Sequence, residues 1–600
     1  MSDVVEKLLN SAVEALHNGN HTVCMSLTSQ ALQELAPGDR RIPEALSLRG
    51  TARLRFDPAA ALEDLQQAVQ LDPKEPQFKT ALGQAFVSLG RLDEAKAALG
   101  QAWQLSKGHP VVTDLLARVL LQKGEAFQAV QLLGPLVQSG RAKTSHIRQF
   151  AEALYHSGDI YGARDVLLQL YGPSGPQTVT DRLQLARIEM ALRDYEAADT
   201  HLKALLKEEP DHVSALMSSV RLMEWLGDQD KQNEYVKRLG FHADGNPEAL
   251  SIIVDHSAHL PSERLAAFTK LVTDTPVMTE EIAVLGFSLA LYFDRRKEFD
   301  RAFEIASSTN ERLAASRGAV QTADAIQSSY QKTISQLKNA GRLYREVQPV
   351  PKAADSPDCI YLIGAPRTGS SLIQSVLAAP EGVKSVGERG ALFPYLNDAV
   401  ERDIEEGAFR RLIAELAVAD VAGLKRFGPV QKRYIDKTPH NLYVAGLLQK
   451  INPEAQFVKV FRDAGDVALS MFLRPFSSFF PEATSLDSLR ASLRTRLDVF
   501  EFWAAEGLQI HPFSYEVFTE APGEQGQRLF GLVGQEWNDA YLDPALRPDA
   551  IPTFSSRQVR QHIQAKTSPH WQSYREFAPD VFDHLGEITA AQNAITNTKV

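Results

Sequence analysis

The first 240 residues repeat themselves at an interval of about 34 residues. The stretches SLGRLDEA, QKGEAFQA, HSGDIYGA, ALRDYEAA and WLGDQDKQ align with one another, and their turn residues are spaced by 34, 34, 35 and 34 positions. These turn residues are Gly90, Gly124, Gly158, Arg193 and Gly227. A fixed period of this length is the sequence signature of stacked structural units, so each unit is expected to pack on its neighbours.

A small residue follows the turns at Gly90, Gly124, Gly158 and Arg193 by five positions, and Ala61 stands in the same register after Phe56. A proline often follows the second helix of a unit. Small residues let paired helices approach closely, and proline stops a helix. The pattern resembles the tetratricopeptide repeat, which predicts about seven helix pairs stacked over residues 1–240 into an α-solenoid with a concave groove. We expect the groove to hold a peptide or protein, with a scaffold or self-association surface as the alternative. The small residues are Ala61, Ala95, Ala129, Ala163 and Ala198.

The period weakens after residue 240, although the segment 241–345 keeps a helical pattern. LALYFDRRKEFDRAFEIASSTNERLAAS indicates a helix pair, and AIQSSYQKTISQLKNA indicates a long amphipathic helix. We interpret 241–345 as atypical helical repeats that connect to the next domain. The three prolines of REVQPVPKAADSPD then predict a linker over 346–357, followed by a domain over 358–600.

The composition is that of an ordinary globular chain. Of 600 residues, 44% are hydrophobic and 23% are charged, and the net charge of −11 argues against general nucleic-acid binding. Two cysteines exclude a disulfide scaffold. The acidic start is unlike a secretory signal, and no apolar run is long enough to span a membrane, so we expect a cytoplasmic protein. The oligomeric state is not fixed, and a homo-oligomer stays open.

The sequence pattern changes at Cys359. A short apolar run comes first, a glycine-containing loop follows it, and a helix pattern comes third. CIYLIG has the length of a strand, GAPRTGSS is the loop and LIQSVLAAP is the helix. This order points backbone N–H groups at an anion. Gly364 and Gly369 keep the spacing of a nucleotide-binding loop, but Ser370 stands where such loops carry lysine, and Arg367 is the only cation. The loop alone leaves the identity of the anion open.

A second anion site is predicted about ninety residues further along the chain. AQFVKVF reads as a buried strand that ends at Arg462, and the carboxyl ends of parallel strands are where ligands bind. The helix pattern that follows places Ser470 and Arg474 four residues apart, on one face. A solvated Arg462–Asp463 pair beside a surface helix is the alternative.

Together the two sites resemble the sulfotransferases that use 3′-phosphoadenosine 5′-phosphosulfate (PAPS). The resemblance rests on P-R-[ST]-G-[ST]-[ST] after a strand and on R-D-x-x-D-V-x-x-S, and it covers residues 359 to about 590. With the repeats in front, the chain resembles the bacterial tetratricopeptide-sulfotransferase group, whose catalytic domain is similar to tyrosylprotein sulfotransferases. The resemblance implies a P-loop-like α/β domain with a mostly parallel sheet and the donor along its carboxyl edge.

The resemblance assigns the donor contacts residue by residue. It implies that the loop holds the 5′-phosphosulfate and that Arg462, Ser470 and Arg474 hold the 3′-phosphate. The family motif usually continues Arg-Asp-Pro-Arg, whereas Ala464 and Gly465 stand here, which puts the shape of that loop in doubt. The loop residues are Pro366, Arg367, Thr368, Gly369, Ser370 and Ser371.

A late segment, SSRQVRQHIQAKTSPHW, resembles the stretch ending in tryptophan that covers the donor in the family. It places Ser555 where a serine contacts the donor, and the neighbouring Ser556 would serve almost as well.

The resemblance also implies the catalytic groups. Sulfuryl transfer, like phosphoryl transfer, needs placement and positive charge more than covalent chemistry. Glu388 in VGER falls where the tyrosylprotein enzymes carry their base, and Lys437 in YIDKTPHN matches their lysine. Lys437 and Arg367 are expected to neutralise charge on the leaving group. No spacing typical of a metal site is present, so no metal is expected.

Two alternatives compete with Glu388 as the base. Glu388 could be a surface acid paired with Arg389, and His440 could be the base because histidine is the commonest one.

The sequence therefore predicts a cytoplasmic PAPS-dependent sulfotransferase whose repeats recruit a protein or peptide acceptor, with tyrosine as a candidate because a phenol gives up its proton more easily than an aliphatic alcohol. A carbohydrate, lipid or small metabolite acceptor is the first alternative. A non-catalytic adaptor that senses nucleotide is the second.

Overall fold

The computed structural model describes residues 2–172, 175–176, 178–243, 245–352, 356–425, 432–546, 562–564 and 569–598. The chain divides into two compact units, Met1–Gly175 and Pro176–Val600. The boundary between the units falls inside the predicted repeat region, so the helices that follow Pro176 share a unit with the α/β domain.

The described part of the first unit is helical, and consecutive helices pack in pairs. The small residues of the repeat lie where the helices pack closely, since Ala61, Ala95 and Ala129 are fully buried. Its helices are α1 (Ser2–His17), α2 (His21–Glu34), α3 (Ile42–Arg53), α4 (Pro58–Leu71), α5 (Pro76–Ser88), α6 (Leu92–Leu105), α7 (Pro110–Gln122), α8 (Ala126–Gln138), α9 (Thr144–His156) and α10 (Ile160–Tyr171).

The second unit begins with further helices. Pairing continues, and Ala198 is again fully buried. The helices are α11 (Val179–Leu192), α12 (Tyr195–Glu208), α13 (Val213–Leu226), α14 (Gln229–His242), α15 (Pro247–His256), α16 (Ser262–Asp274), α17 (Glu280–Arg295), α18 (Phe299–Ser316) and α19 (Ala323–Glu346).

The segment after α19 is fixed to the domain that follows it. Val347 is fully buried, and the Val350 backbone N–H donates to the carbonyl of Lys450 at 2.8 Å. Lys352 Nζ lies 2.6 Å from an Asp358 carboxylate oxygen and 2.5 Å from one of Glu454. The described residues 347–352 are therefore held against this domain.

A five-stranded sheet with helices around it forms the rest of the unit. All four strand pairs are parallel, in the order β2-β3-β1-β4-β5, which confirms the predicted α/β class. The strands are β1 (Asp358–Ile363), β2 (Val383–Gly387), β3 (Arg433–Asp436), β4 (Gln456–Phe461) and β5 (Ile510–Ser514). The helices are α20 (Ser370–Leu377), α21 (Phe393–Glu401), α22 (Glu406–Lys425), α23 (Ala445–Ile451), α24 (Ala464–Phe472), α25 (Leu486–Ala505), α26 (Tyr515–Glu520), α27 (Pro522–Leu532) and α28 (Pro579–Thr598).

Both faces of the sheet are covered, which explains why its strands are nearly continuous apolar runs. One face packs Tyr361 and Phe457 into the large core that also includes residues of the helices α11–α19. The opposite face packs Leu362 and Val458 against α20 and α27. The carboxyl edge of the sheet is where the predicted functional residues gather.

Candidate active site

The loop of residues 364–371, called the anion loop below, runs from the end of β1 to the start of α20, as the sequence predicted. Gly364 and Gly369 both have positive φ angles, 137° and 87°. A Cβ on Gly369 would stand 2.1 Å from a ring carbon of Tyr515, so a side chain does not fit there. The Gly364 carbonyl accepts from Arg496 Nη1 at 3.1 Å. The loop is thus fixed from two sides by residues distant in the sequence.

The remaining loop residues lie in or beside the turn that precedes α20. Thr368 is buried, and its hydroxyl donates to the carbonyl of Ala365 at 3.1 Å. Ser371 is buried in the first turn of α20, and Pro366 and Ser370 are half-buried. This arrangement is typical of a phosphate-type anion site, in which loop amides and a helix N-terminus face the ligand.

Three arginines gather around Ser470. Its Oγ accepts from Arg367 Nε and from Arg474 Nη1, each at 3.0 Å. Arg462 Nη1 donates to the Arg367 carbonyl at 2.9 Å. The structure therefore brings the loop arginine and the second motif into direct contact, across 103 residues of sequence. The helix α24 ends at Phe472, before Arg474, but the Arg474 side chain still reaches back to Ser470.

The cluster carries more positive than negative charge. Burial and the neighbouring Arg474 and Arg462 lower the pKa of Arg367 to about 9. Burial likewise lowers the pKa of Arg474. The charge of Asp294 raises this pKa, whereas the charge of Arg462 lowers it further. Arg462 forms a close ion pair here, with Asp466 Oδ2 at 2.9 Å. An anion bound among these guanidinium groups would relieve their mutual repulsion.

Asp466 joins this cluster to the C-terminal segment. Its Oδ1 accepts from the backbone N–H groups of His570 at 2.7 Å and Trp571 at 3.2 Å, while its other oxygen holds Arg462. One buried carboxylate thus fixes both a predicted phosphate-binding arginine and the end of the segment expected to cover the donor.

The departure of this motif from the family pattern has a steric cause. A Cβ on Gly465 would stand 2.6 Å from the indole ring of Trp571, so any larger residue displaces the tryptophan. The Trp571 ring in turn stacks on Phe582 at 5.4 Å. The Ala464 N–H donates to the Thr589 hydroxyl at 2.9 Å. Residues 464 and 465 therefore pack against the C-terminal segment. Ser555 and Ser556 lie outside the described residues.

Glu388 and Lys437 form an ion pair at the carboxyl ends of β2 and β3. Lys437 Nζ donates to Glu388 Oε1 at 2.5 Å, and the Lys437 N–H donates to the Gly387 carbonyl at 2.8 Å. The Lys437 side chain is 6% exposed and that of Glu388 52% exposed. The lysine is therefore held in place while the carboxylate stays accessible. Arg389 pairs with Asp420 instead, so the predicted idle pair of Glu388 with Arg389 does not form.

The strand order arranges these groups along one edge. Read across the sheet, β2 presents Glu388, β3 presents Lys437, β1 leads into the anion loop, and β4 ends before Arg462. Parallel neighbours are spaced by about 4.8 Å, so β2 and β4 are about 14 Å apart, a span that one nucleotide can cover. This edge is also where ligands bind in open α/β sheets.

His440 lies in an aromatic cluster and is a poor base. Its ring is 4.4 Å from that of Phe479, 4.7 Å from Phe480 and 5.5 Å from Phe393, measured between ring centres. Burial, together with the charge of Arg496, lowers the pKa of His440 to about 3. A group that is so reluctant to take a proton leaves Glu388 as the better-placed base.

The structure adds Lys459, which sequence reasoning missed. It lies within the apolar strand β4, is 4% exposed, and its Nζ is 3.8 Å from where a Cβ on Gly364 would stand. No carboxylate is paired with it in the described part of the chain, and burial and Arg496 lower its pKa to about 7. A lone lysine in the run AQFVKVF was the available signal, because buried lysines are rare without a partner.

Asp294 on α17 was also missed. Its Oδ1 lies 2.7 Å from His570 Nε2 and accepts from the Tyr574 hydroxyl at 2.6 Å. A helix of the segment 241–345 thereby holds the C-terminal segment next to the arginine cluster. The periodicity of α17 could not indicate this partner, which is 280 residues further on.

The described residues contain neither a cluster of metal-ligand side chains nor a helix suited to cross a membrane. No group of three or more histidine, cysteine, aspartate or glutamate side chains is placed to hold a metal ion there. Of the helices that the structure describes, none has the length and apolar character needed to span a membrane.

The chain is an α-helical repeat protein joined to a parallel α/β domain with arginines clustered at the carboxyl edge of its sheet. Residues 357–539 match the sulfotransferase family. Residues 52–101, 90–149 and 183–228 match the tetratricopeptide repeat. The chain therefore carries a sulfotransferase-family domain together with tetratricopeptide repeats, which confirms the resemblance drawn from the sequence.

Individual relatives are distant. An uncharacterized protein of Aquifex aeolicus (strain VF5) is 23% identical over 571 residues, 88% of this chain and 71% of that protein. A protein of Caenorhabditis briggsae named "Putative protein-tyrosine sulfotransferase" is 22% identical over 248 residues, 38% of this chain and 85% of the relative. A solved structure of pilF from Pseudomonas aeruginosa is 20% identical, covering 36% of this chain and 96% of that one, with a TM-score of 0.31.

Proposed function

We propose that the protein transfers a sulfuryl group from PAPS to a hydroxyl of a protein or peptide acceptor recruited by its repeats, with tyrosine as the favoured acceptor. The observation that carries the donor assignment is the contact of Arg367 and Arg474 with Ser470, beside Arg462. A cluster of three guanidinium groups next to a glycine-containing loop suits a donor that carries a phosphate at one end and a phosphosulfate at the other.

The roles follow from position along the sheet edge. The loop amides, Ser370 and Ser371 would hold the phosphosulfate, while Arg462, Ser470 and Arg474 would hold the 3′-phosphate. Arg367 extends from the first group to the second, because its guanidinium contacts Ser470. When bound, PAPS would supply the sulfuryl group and a bisphosphate leaving group. The residues of the chain would orient it and exclude water.

Glu388 is the proposed base and Lys437 the proposed charge neutraliser. Their ion pair fixes the direction of the carboxylate, and the exposed side of this carboxylate can take the proton of an incoming hydroxyl. Lys437 is then free to follow the negative charge that develops as the leaving oxygen separates from sulfur.

A phenolic acceptor is supported by two observations. His440, at the centre of the aromatic cluster, is three residues after Lys437 in the sequence. The cluster includes Phe479, whose side chain is about half exposed. A flat ring packs well against such side chains. The C. briggsae relative bears the name of a tyrosine sulfotransferase. The repeats would supply a surface for the rest of a protein acceptor, as such repeats commonly bind peptides and proteins.

Calorimetric titration with adenosine 3′,5′-bisphosphate tests the donor site. We expect Arg462→Ala to weaken binding at least 100-fold, because a buried charge-assisted contact to phosphate is lost. Arg490→Ala is the matched control, since Arg490 is a more exposed arginine of α25 paired with Asp487. Equal affinities in wild type and Arg462→Ala would refute the site.

Radiolabelled transfer tests the acceptor. Protein incubated with ³⁵S-labelled PAPS and a tyrosine peptide should label the peptide, and the phenylalanine version of that peptide should stay unlabelled. If label enters only the carbohydrate, lipid or small-molecule fractions of a lysate, the proposed protein acceptor is wrong and the proposed donor stands. Bisphosphate binding without any transfer would favour the adaptor alternative.

A further inference from the structure

One turn of the repeat region breaks the glycine pattern. In the five units aligned at residues 90, 124, 158, 193 and 227, the turn residue is left-handed, and it is glycine in all of them except one, where it is arginine. The φ angles are 71° at Gly90, 73° at Gly124, 94° at Gly158, 63° at Arg193 and 76° at Gly227. Residues with a Cβ are disfavoured in this conformation, and such strain persists where the surrounding structure or function demands the side chain.

The Arg193 side chain reaches the carboxyl end of β2. One guanidinium nitrogen lies 3.4 Å from the position that a Cβ on Gly387 would take. The same positive charge, after burial, lowers the pKa of Lys384 on that strand. The contact with Gly387 and the effect on Lys384 both place the guanidinium beside β2.

The carboxyl end of β2 has an irregular backbone. The pairing of β2 with β3 shifts by one residue between Ser385 and Gly387, as a β-bulge does. Gly387 itself has a φ of 72°, which glycine adopts at no steric cost. The next residue is Glu388, whose direction depends on this backbone. A small rotation there would move the carboxylate away from Lys437.

We propose that Arg193 is a positioning residue: from the turn between α11 and α12 it supports Gly387 and so holds Glu388 in line with Lys437. The tetratricopeptide-type helices thereby act on the proposed catalytic carboxylate, in addition to any role in recruitment. The support of Gly387 by Arg193 is independent of what the protein catalyses, whereas the effect on catalysis rests on the proposed function.

Arg193→Gly separates a positioning role from a structural one. Glycine is what the other turns carry, so the substitution removes backbone strain and should leave the melting temperature equal or higher. Lys297→Gly is the matched control, because Lys297 is another left-handed residue, φ 62°, in an exposed turn between helices of the same unit. Arg193→Lys keeps the charge and the backbone strain.

Hydrogen exchange of the full-length protein, measured over residues 383–392, is the primary readout. We expect exchange several-fold faster in Arg193→Gly, with wild-type rates in Lys297→Gly and intermediate rates in Arg193→Lys. Unchanged exchange in Arg193→Gly would overturn the proposal. A lower melting temperature with faster exchange throughout the second unit would overturn it too, since Arg193 would then be merely structural.

Turnover is the second readout, with ³⁵S-labelled PAPS and the peptide that the wild type labels. Arg193→Gly should lower kcat at least 10-fold and leave the affinity for adenosine 3′,5′-bisphosphate within twofold. Wild-type kcat would overturn the catalytic part of the inference. If Glu388→Gln also kept wild-type kcat, the assignment of the base would fail, whereas the exchange result would still decide whether Arg193 supports Gly387.

Discussion

At the scale of single residues, the pair of Glu388 and Lys437 combines opposite charges with opposite exposures. The buried lysine depends on the carboxylate for compensation, so removing the carboxylate outright leaves a buried charge unpaired. Glutamine is therefore the better probe, because it keeps the shape and one hydrogen-bond acceptor.

Glu388→Gln should bind adenosine 3′,5′-bisphosphate like the wild type and lose turnover by about 10²- to 10⁴-fold, the usual contribution of a general base. Titration and ³⁵S transfer measure the two effects. Glu381→Gln is a control carboxylate that precedes β2. Normal turnover in Glu388→Gln would move the base elsewhere.

Lys459 should destabilise the fold while it serves the anion loop. Its pKa is about 7 when folded and about 10.4 when unfolded, so the unfolded chain holds the proton more tightly. The free energy of unfolding should then rise with pH between about 7 and 10 on account of Lys459. In Lys459→Met this contribution disappears, and the variant should be more stable than the wild type at pH 7.

The same variant should bind adenosine 3′,5′-bisphosphate or PAPS more weakly, because a cation close to Gly364 is lost. Denaturation curves at several pH values and calorimetric titration at pH 7 check both expectations. A variant with lower stability and unchanged affinity would show that Lys459 is only a packing residue.

The sequence identified the residues that belong to local motifs, and it missed those whose role depends on distant partners. The loop and the motif that contains Arg462 and Ser470 could be picked out because each is a local pattern, and their pairing was inferred from the family resemblance. Lys459 could not, since its role depends on how β4 lies against β1. The fit of Gly465 to Trp571 is likewise invisible before the chain folds, as the two are more than 100 residues apart.

At the scale of elements, α17 connects the helical segment to the sulfotransferase domain through Asp294. Burial opposes ionisation of this carboxylate, but hydrogen bonds from His570 and Tyr574 outweigh it and lower its pKa. A lowered pKa means that the folded state gains from the ionised form. The contribution is complete above the unfolded value of about 3.9 and is lost as pH falls through the lower folded value.

Asp294→Ala should therefore cost about 1–3 kcal/mol at pH 7, because two polar partners lose a buried acceptor. The difference from the wild type should shrink under strongly acidic conditions. It should also weaken nucleotide binding, since His570 and Trp571 share the carboxylate of Asp466 with Arg462. Urea unfolding and titration test this, with Asp300→Ala on the exposed side of α18 as control.

At the scale of the whole molecule, the periodicity predicted the helices well and the extent of the compact units less well. The 34-residue spacing located the helix pairs because small residues and turns recur at local intervals. It could not show that the helices after Pro176 share a unit with the sheet, because that depends on long-range contacts such as Asn310 with the carbonyl of Phe472 at 2.9 Å. Deleting the predicted repeats up to residue 240 would therefore cut into the second unit.

A truncation at the observed boundary is the sharper experiment. The fragment 176–600 keeps Arg193, Asp294 and every described residue assigned to the donor, so it should fold, melt cooperatively and bind adenosine 3′,5′-bisphosphate within twofold of the full chain. Transfer to a short tyrosine peptide should persist, while transfer to a protein acceptor should fall at least tenfold if residues 1–175 recruit it. Equal transfer to both would remove recruitment from the first unit, and a folded fragment without nucleotide affinity would contradict the donor site proposed in the second.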